Sequence, residues 1–204
     1  MTGAVFASSG FAQPFTTLRF ETHAAFFSGE THQSKPLDPQ VFVRAPGAPA
    51  GVGPQNIKHA AGYRNALLAD KATLPVFSAT GRALGFDLGQ WLGVTGNVVL
   101  MPTPSGEEKV IAVFDGLKPG GVYSLFENHF DQKPIGFTPL DGRGVDNNFV
   151  VGKDGRGAIT LTAPHALSSV NAVLVVYHSD GKSHGASRGV IGVTAHHQLI
   201  AKVP

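Results

Sequence analysis

From Thr73 to Pro204, short apolar or alternating segments recur between turn-forming residues, a pattern typical of an all-β protein. Four Asp-Gly pairs, beginning at positions 115, 141, 154 and 180, favour tight turns because glycine adopts positive φ angles without steric cost. Between the turns we predict eight strands, over Ala83 to Leu88, Asn97 to Met101, Lys109 to Phe114, Val122 to Phe130, Asn148 to Val151, Ala158 to Thr162, Ala172 to His178, and Val190 to Val203 with a break. About eight strands are enough for a single antiparallel β-sandwich.

Two of these segments differ in how much of their surface they bury. Ala172 to Tyr177 is apolar at every position, which predicts a central strand covered on both faces. Ala158 to Thr162 alternates between apolar and polar residues, so one of its faces meets solvent.

The first 72 residues have a different character. Prolines interrupt this part repeatedly, and Ala45 to Pro54 consists almost wholly of Ala, Gly and Pro. We therefore predict an extended arm over residues 1–72, packed on a sandwich domain over residues 73–204. Within the arm, Pro54 can begin a helix, and one short helix is predicted over residues 55–69. Its apolar face would consist of Ile57, Ala60, Ala61, Leu67 and Leu68.

Composition excludes several classes of function. Hydrophobic residues make up 42% of the 204 residues and charged residues 15%, which favours a folded core. The net charge is +2 without a basic run, so no nucleic-acid partner is expected. The absence of cysteine excludes disulfides, thiolate metal sites and a cysteine nucleophile. No apolar run reaches the roughly 18 residues of a membrane span, and no phosphate-binding glycine loop predicts a nucleotide cofactor.

The beginning of the chain bears on location. Met1 to Phe15 is apolar and rich in small residues, but it lacks the basic region and the continuous apolar region of a signal peptide. Low charge, abundant Gly and Phe, and the lack of Cys are common in bacterial envelope proteins. We expect a secreted or periplasmic protein whose signal peptide is absent from this sequence.

Histidines offer the clearest candidate chemistry. His178 ends the predicted central strand, Asp180 lies in the next turn, and His184 follows that turn. Imidazole with carboxylate is a common ligand set for zinc and for type-2 copper, and copper or zinc is the ion that we expect. His196 or His197 would complete the site, and neighbours on a strand face opposite ways, so at most one joins unless a bulge intervenes.

Glu127 and His129 are additional candidates, because residues two apart on a strand share a face. They could serve as metal ligands or as an acid and its orienting partner. Alternatively, each marks an exposed strand end near a turn. The other histidines are open to a similar alternative, as separate hydrogen-bonded or surface groups, or as the lining of a ligand pocket without metal.

Phenylalanine suggests a competing function. Fourteen Phe residues stand against three Tyr and one Trp, and half of them lie in the predicted arm. They would pin the arm to the sandwich, mediate contact with a second subunit or an envelope component, or line an apolar ligand cavity. The members are Phe6, Phe11, Phe15, Phe20, Phe26, Phe27 and Phe42. The leading prediction is a metal-binding protein, with redox activity at an open coordination position; the alternative is a non-catalytic structural module.

The chain from Phe114 to Leu199 resembles a group of uncharacterised bacterial β-sandwich proteins that usually carry secretion signals. The likeness is carried by four segments, Phe114-Asp-Gly-Leu-Lys-Pro-Gly-Gly-Val-Tyr123, Asn171-Ala-Val-Leu-Val-Val-Tyr-His-Ser-Asp-Gly181, His184-Gly185 and Ile191-Gly-Val-Thr-Ala-His-His-Gln-Leu199. It covers under half of the chain and implies a secreted or envelope location, without an activity. The first segment is also similar to hairpins of copper-zinc superoxide dismutase-like sandwiches. The His-x-His strand of that dismutase is missing here, so its activity is not implied.

Overall fold

The computed structural model describes residues 15–204. Within this range the chain is mostly β, with sixteen strands, two α-helices and one 3-10 turn. The helices are α1 (His23–Glu30) and α2 (Leu88–Leu92), and the 3-10 turn covers Pro54–Asn56. The strands are β1 (Thr16–Arg19), β2 (Glu21–Thr22), β3 (Leu37–Arg44), β4 (Gly51–Val52), β5 (Lys58–His59), β6 (Tyr63–Leu67), β7 (Pro75–Phe77), β8 (Ala83–Asp87), β9 (Thr95–Pro102), β10 (Glu108–Asp115), β11 (Val122–His129), β12 (Gly136–Pro139), β13 (Asn148–Val150), β14 (Gly157–Ala163), β15 (Asn171–His178) and β16 (Ala195–Lys202).

The all-β prediction is confirmed, but the expected number of about eight strands is wrong. Each predicted segment contains a strand, and the other strands are mostly short or lie in the first 77 residues. The last segment is shorter than predicted, because residues 190–194 form a turn in which Val193 N–H and Thr194 N–H both donate to Val190 O. All four Asp-Gly glycines have φ between 73° and 80°, as the turns require.

The helix predicted over residues 55–69 is wrong. Gln55 and Asn56 have φ of 61° and 59°, which ends the 3-10 turn at once, and residues 63–67 form β6. β6 pairs with β3, so pairing within a sheet outweighs the helical spacing of its apolar residues. Helices occur elsewhere. α1 is capped by Thr22, whose Oγ1 accepts the N–H of Ala25 at 3.2 Å.

The strands form antiparallel sheets. The first has the order β1-β9-β10-β14, and the second has the order β12-β11-β15-β16-β2 with β13 also paired to β11. The third has the order β6-β3-β7-β8, and β4 pairs with β5. Segments predicted as an irregular arm thus contribute strands to sheets.

The main hydrophobic core joins the first two sheets. It contains Val98 and Val110 from the first sheet, and Leu125 and Val175 from the second. The third sheet contributes as well, through Val41, Val76 and Leu84. Every residue of β15 is buried, which confirms the prediction of a central strand covered on both faces. Within residues 15–204, no helix combines the length and hydrophobicity that crossing a bilayer requires.

A bulge in β16 decides where its histidines lie. Val175 pairs with Leu199 and Val176 with His197, so Gln198 has no partner on β15. His196, which pairs with Tyr177, therefore shares a face with Leu199, towards the main core. His197 lies on the opposite face, with Val176.

Candidate metal centre

Three side chains of the metal-ligating type meet where β15 ends. Each contributes one ligand atom, and the three atoms lie within 4.8 Å of one another; the residues are His178, Asp180 and His184. Within residues 15–204, no other set of three or more His, Asp or Glu side chains is grouped in this way. His184 Nε2 lies 3.0 Å from Asp180 Oδ2, and the centres of the His178 and His184 rings are 5.3 Å apart. The structure thus brings together His178, Asp180 and His184, three of the residues that the sequence predicts as ligands.

The β15–β16 loop, residues 179–194, brings them there. Gly181 turns the chain with φ of 74°, and its N–H donates to His178 O at 3.1 Å. The base of the loop is closed by Ser179 N–H, which donates to Thr194 O at 2.8 Å. Asp180 and His184 are consequently folded back over the end of the strand that carries His178.

Gly189 lies against the His184 ring, which occupies the space that a side chain at position 189 would need. A Cβ atom at this position would lie 3.0 Å from His184 Cδ2 and 3.2 Å from His184 Nε2. The φ of Gly189 is +85°, which side chains other than glycine rarely adopt. Glycine is therefore required here both for the backbone conformation and for the approach of the imidazole.

His178 is the buried member of the cluster. Its residue is 1% exposed, its Nε2 lies 2.8 Å from Ser124 Oγ, and its Nδ1 is buried without a hydrogen-bond partner among the described residues. Burial, with His184 adding to it and Asp180 opposing it, lowers the pKa of His178 to about 4. The ring is thus neutral at neutral pH, and the neutral imidazole is the form that binds metal ions.

Solvent reaches the cluster from the side of Asp180 and His184, whose side chains are 20% and 28% exposed. A groove of about 260 Å³ runs beside His178 and Asp180 and is also lined by Arg82 and Lys118. Lys118 is held in place, because its Nζ donates to Leu84 O at 2.6 Å and to Tyr177 Oη at 3.0 Å. A fixed positive charge therefore lies along the groove beside His178 and Asp180.

His196 does not belong to this group. Its ring is fully buried and packs against Trp91 and Tyr177. Its Nδ1 lies 3.2 Å from Gln40 O, and its Nε2 lies 3.3 Å from Ser179 Oγ. Both nitrogens have partners, so the geometry gives His196 a structural role in joining β16 to β3.

His197 lies on the other face of β16 and also outside the group. Its Nδ1 is 3.0 Å from Gln40 Nε2, and its Nε2 is 3.0 Å from Arg188 Nη1. His23 approaches its Nδ1 at 3.5 Å. The expectation that one of the two adjacent histidines of β16 completes the cluster is not met in the structure.

Glu127 and His129 lie too far away to join it. His129 pairs with Asn171 and Val122 pairs with His178, so the two histidines are seven residues apart along the paired strands, or about 23 Å. Glu127 Oε1 is instead 3.1 Å from Nε2 of His165 and 3.6 Å from Nδ1 of His129. These residues form a separate polar group at the opposite end of β11.

The phenylalanines of the first segment pack mainly within the chain. Phe20 and Phe42 are buried, and Phe26 packs on Phe130 at 5.8 Å. Phe15 is 66% exposed. Phe6 and Phe11 lie outside the described residues. Contact with a second subunit or an envelope component through this segment stays a prediction.

Sequence reasoning missed Ser124 and Gly189. Ser124 is the polar residue in the otherwise apolar run Val122 to Phe126, and a buried serine in such a run calls for a partner on the neighbouring strand. Gly189 gave no comparable signal, because glycine is frequent throughout this chain. Comparisons with family models, with curated proteins and with solved structures find no match, so the resemblance stays an expectation from the sequence.

Proposed function

We propose that this protein binds one divalent metal ion, zinc or copper, through His178, Asp180 and His184. The observation that carries this proposal is the unpartnered, buried Nδ1 of His178 within a cluster of three ligand-type side chains. Leaving a buried polar atom without a partner costs about 1–3 kcal/mol, and coordination to an ion would remove that cost.

The chemistry of the three side chains supports the same ion types. Two imidazoles and one carboxylate leave a coordination position open for water, as in catalytic zinc sites, and nitrogen with oxygen ligands also suits copper(II). His184 Nε2 and Asp180 Oδ2 are within hydrogen-bond distance at 3.0 Å, and an ion between them would take the place of that hydrogen bond. Ser124 Oγ would accept the Nε2–H of His178 and so leave Nδ1 free as the ligand atom.

Catalysis would be a second property of the same site. The groove beside Asp180 would give a small molecule access to a bound ion, and Lys118 would favour an anionic one. Such an arrangement supports hydrolytic or redox chemistry at a bound ion. Ion binding is the function that the geometry supports best.

Two further parts of the proposal rest on other features. The shared core of the first two sheets supports the interpretation of this fold as a β-sandwich. The composition and the resemblance to bacterial secretory proteins support a secreted or periplasmic location.

Electron paramagnetic resonance of the protein loaded with one equivalent of Cu²⁺ tests the proposed ligands. We expect hyperfine structure from two imidazole nitrogens in the wild type and from one nitrogen in His184→Ala. His165→Ala is the matched control, since His165 is a half-exposed histidine of the distant Glu127 group. Identical spectra for the wild type and His184→Ala, or a spectrum altered by His165→Ala, would overturn the assignment.

A further inference from the structure

A second candidate site lies on the other face of β16, where two cavities adjoin. Their volumes are about 450 and 270 Å³, and they share Gln55, Ile135, Phe137 and His197 in their walls. The remaining lining of the first cavity is apolar at Ile57, Pro134 and Ile191. The second cavity combines Phe26, Phe27 and Phe130 with the polar residues His23, Glu30, Thr31 and Asn128. This lining suits the apolar body of a small molecule.

Arg188 brings a positive charge into the first cavity. Its guanidinium carbon lies 3.3 Å from the centre of the Phe137 ring, and the residue is half-buried. Burial lowers its pKa to about 10, so it remains charged at neutral pH. None of the carboxylates of residues 15–204 forms an ion pair with it. A partly desolvated guanidinium that has no counterion among these residues favours an anionic ligand.

The neighbouring His197 offers Arg188 a single acceptor atom. Gln40 Oε1 accepts the backbone N–H of His197 at 2.7 Å, and this bond turns Gln40 Nε2 towards the ring. Two donors, from Gln40 and Arg188, thus approach the two ring nitrogens, each at 3.0 Å. A neutral imidazole has one acceptor nitrogen. Gln40 Nε2 also donates to Gln55 Oε1 at 2.8 Å, so the Nε2 atom of His197 can accept from Arg188. One imidazole nitrogen accepts one of the five N–H groups of the guanidinium, and a ligand carboxylate would accept others.

Arg188 is the cation of this site. Burial, with Arg188 contributing, lowers the pKa of His23 to about 3, and burial, His23 and Arg188 hold the pKa of His197 well below its usual value. Both rings are therefore neutral at neutral pH. Glu30 lies at the rim of the second cavity and is exposed, so solvent screens its repulsion of an anion.

We infer that this site binds a small organic monocarboxylate with an apolar body. The planar guanidinium of Arg188 matches a carboxylate, and the one cation matches one negative charge. The apolar body would lie against Phe137 and Ile135, the residues that both cavities share. The site uses none of the three proposed metal ligands and does not depend on the metal centre.

Isothermal titration of the full chain with octanoate, in the presence of a chelator, tests this inference. We expect saturable binding of one octanoate and binding of octan-1-ol at least about tenfold weaker, because the alcohol lacks the charge. Arg188→Gln is expected to weaken octanoate binding at least about tenfold. Arg156→Gln, which changes an exposed arginine paired with Asp115, should bind octanoate as the wild type does.

A second variant tests the same site in case Arg188→Gln does not fold. Ile135 lines both cavities and is 45% exposed, so Ile135→Glu places a negative charge in the site at a tolerant position. We expect it to abolish octanoate binding, while Asp180→Asn retains binding. Absence of octanoate binding to the wild type at millimolar concentration, equal affinity for octanoate and octan-1-ol, or undiminished binding by Ile135→Glu would each overturn the inference.

Discussion

Ser124 Oγ lies 2.8 Å from His178 Nε2, across the pairing of β11 with β15. Both residues are buried, so this contact fixes the orientation of the imidazole at the base of the metal cluster. It also determines which nitrogen is available, because the nitrogen that Ser124 does not contact is Nδ1.

The first prediction concerns this contact. Ser124→Ala should weaken Zn²⁺ binding by about 10- to 100-fold, since an orienting partner of a ligating histidine contributes that much to metal affinity. Competition with a fluorescent zinc chelator measures the affinity. Ser105→Ala, in an exposed turn, is the control and should bind Zn²⁺ normally. An unchanged affinity in Ser124→Ala would show that the serine does not orient the ligand.

Gly189→Ala tests whether the close approach of the His184 ring to residue 189 matters for metal binding. The new methyl group would crowd the His184 ring and strain a backbone with φ of +85°, so both stability and Zn²⁺ affinity should fall. Gly106→Ala separates the two effects, because Gly106 has φ of +86° and open space around its Cβ position. Each variant should lose about 1 kcal/mol or more in urea denaturation, but Gly189→Ala should lose Zn²⁺ affinity and Gly106→Ala should keep it. Equal Zn²⁺ affinities in the two variants would contradict this role.

Acid should destabilise the folded chain between about pH 6.5 and pH 4. Burial holds the pKa of His178 and His196 at about 4, that of His23 at about 3 and that of His197 well below 6.5, so the unfolded chain takes up protons first. The free energy of unfolding is then at its full value above pH 6.5 and falls as the pH drops, by on the order of 3 kcal/mol for His178 alone. Asp38, whose pKa burial raises to about 6, opposes the trend as one group against four.

Urea denaturation in the presence of a chelator, at a series of pH values across this interval, measures the effect. His178→Gln should reduce the slope of the free energy of unfolding against pH. A free energy that stays level or rises between pH 6.5 and pH 4 would show that these histidines are not held neutral in the folded state.

Changes in the separate polar group of Glu127, His129 and His165 should leave metal binding unaffected. His129 lies at the far end of β11, and its Nε2 contacts Thr138 Oγ1 at 2.9 Å. His129→Ala should therefore bind Zn²⁺ with wild-type affinity and with the same number of ions per chain. Loss of the ion in this variant would show that Glu127 and His129 provide the binding site instead.

Much of the strand pattern could be predicted from the sequence, because alternation and Asp-Gly turns are local signals. β15 is recognisable from its apolar run, and Gly181 from the turn that it must make. The helix predicted over residues 55–69 shows the limit of this reasoning. The apolar spacing there is that of a helix, but β6 gains its hydrogen bonds from β3, whose paired residues lie 19 to 30 positions earlier in the chain.

The sequence predicts those residues of the candidate site that lie close to one another along the chain. His178, Asp180 and His184 lie within seven residues, and one tight turn brings them together. Ser124 comes from a strand 54 residues away, and only the register of β11 against β15 places it beside His178. The positions of His196 and His197 depend on the bulge at Gln198, which no alternation of residue types announces.

The most direct test is the number of Zn²⁺ or Cu²⁺ ions that the chelator-treated protein takes up at micromolar concentration. We predict one ion per chain for the wild type and none for the double variant His178→Ala/His184→Ala. The matched double variant His129→Ala/His165→Ala should still take up one ion. No uptake by the wild type, or equal uptake by wild type and His178→Ala/His184→Ala, would contradict the proposed metal centre.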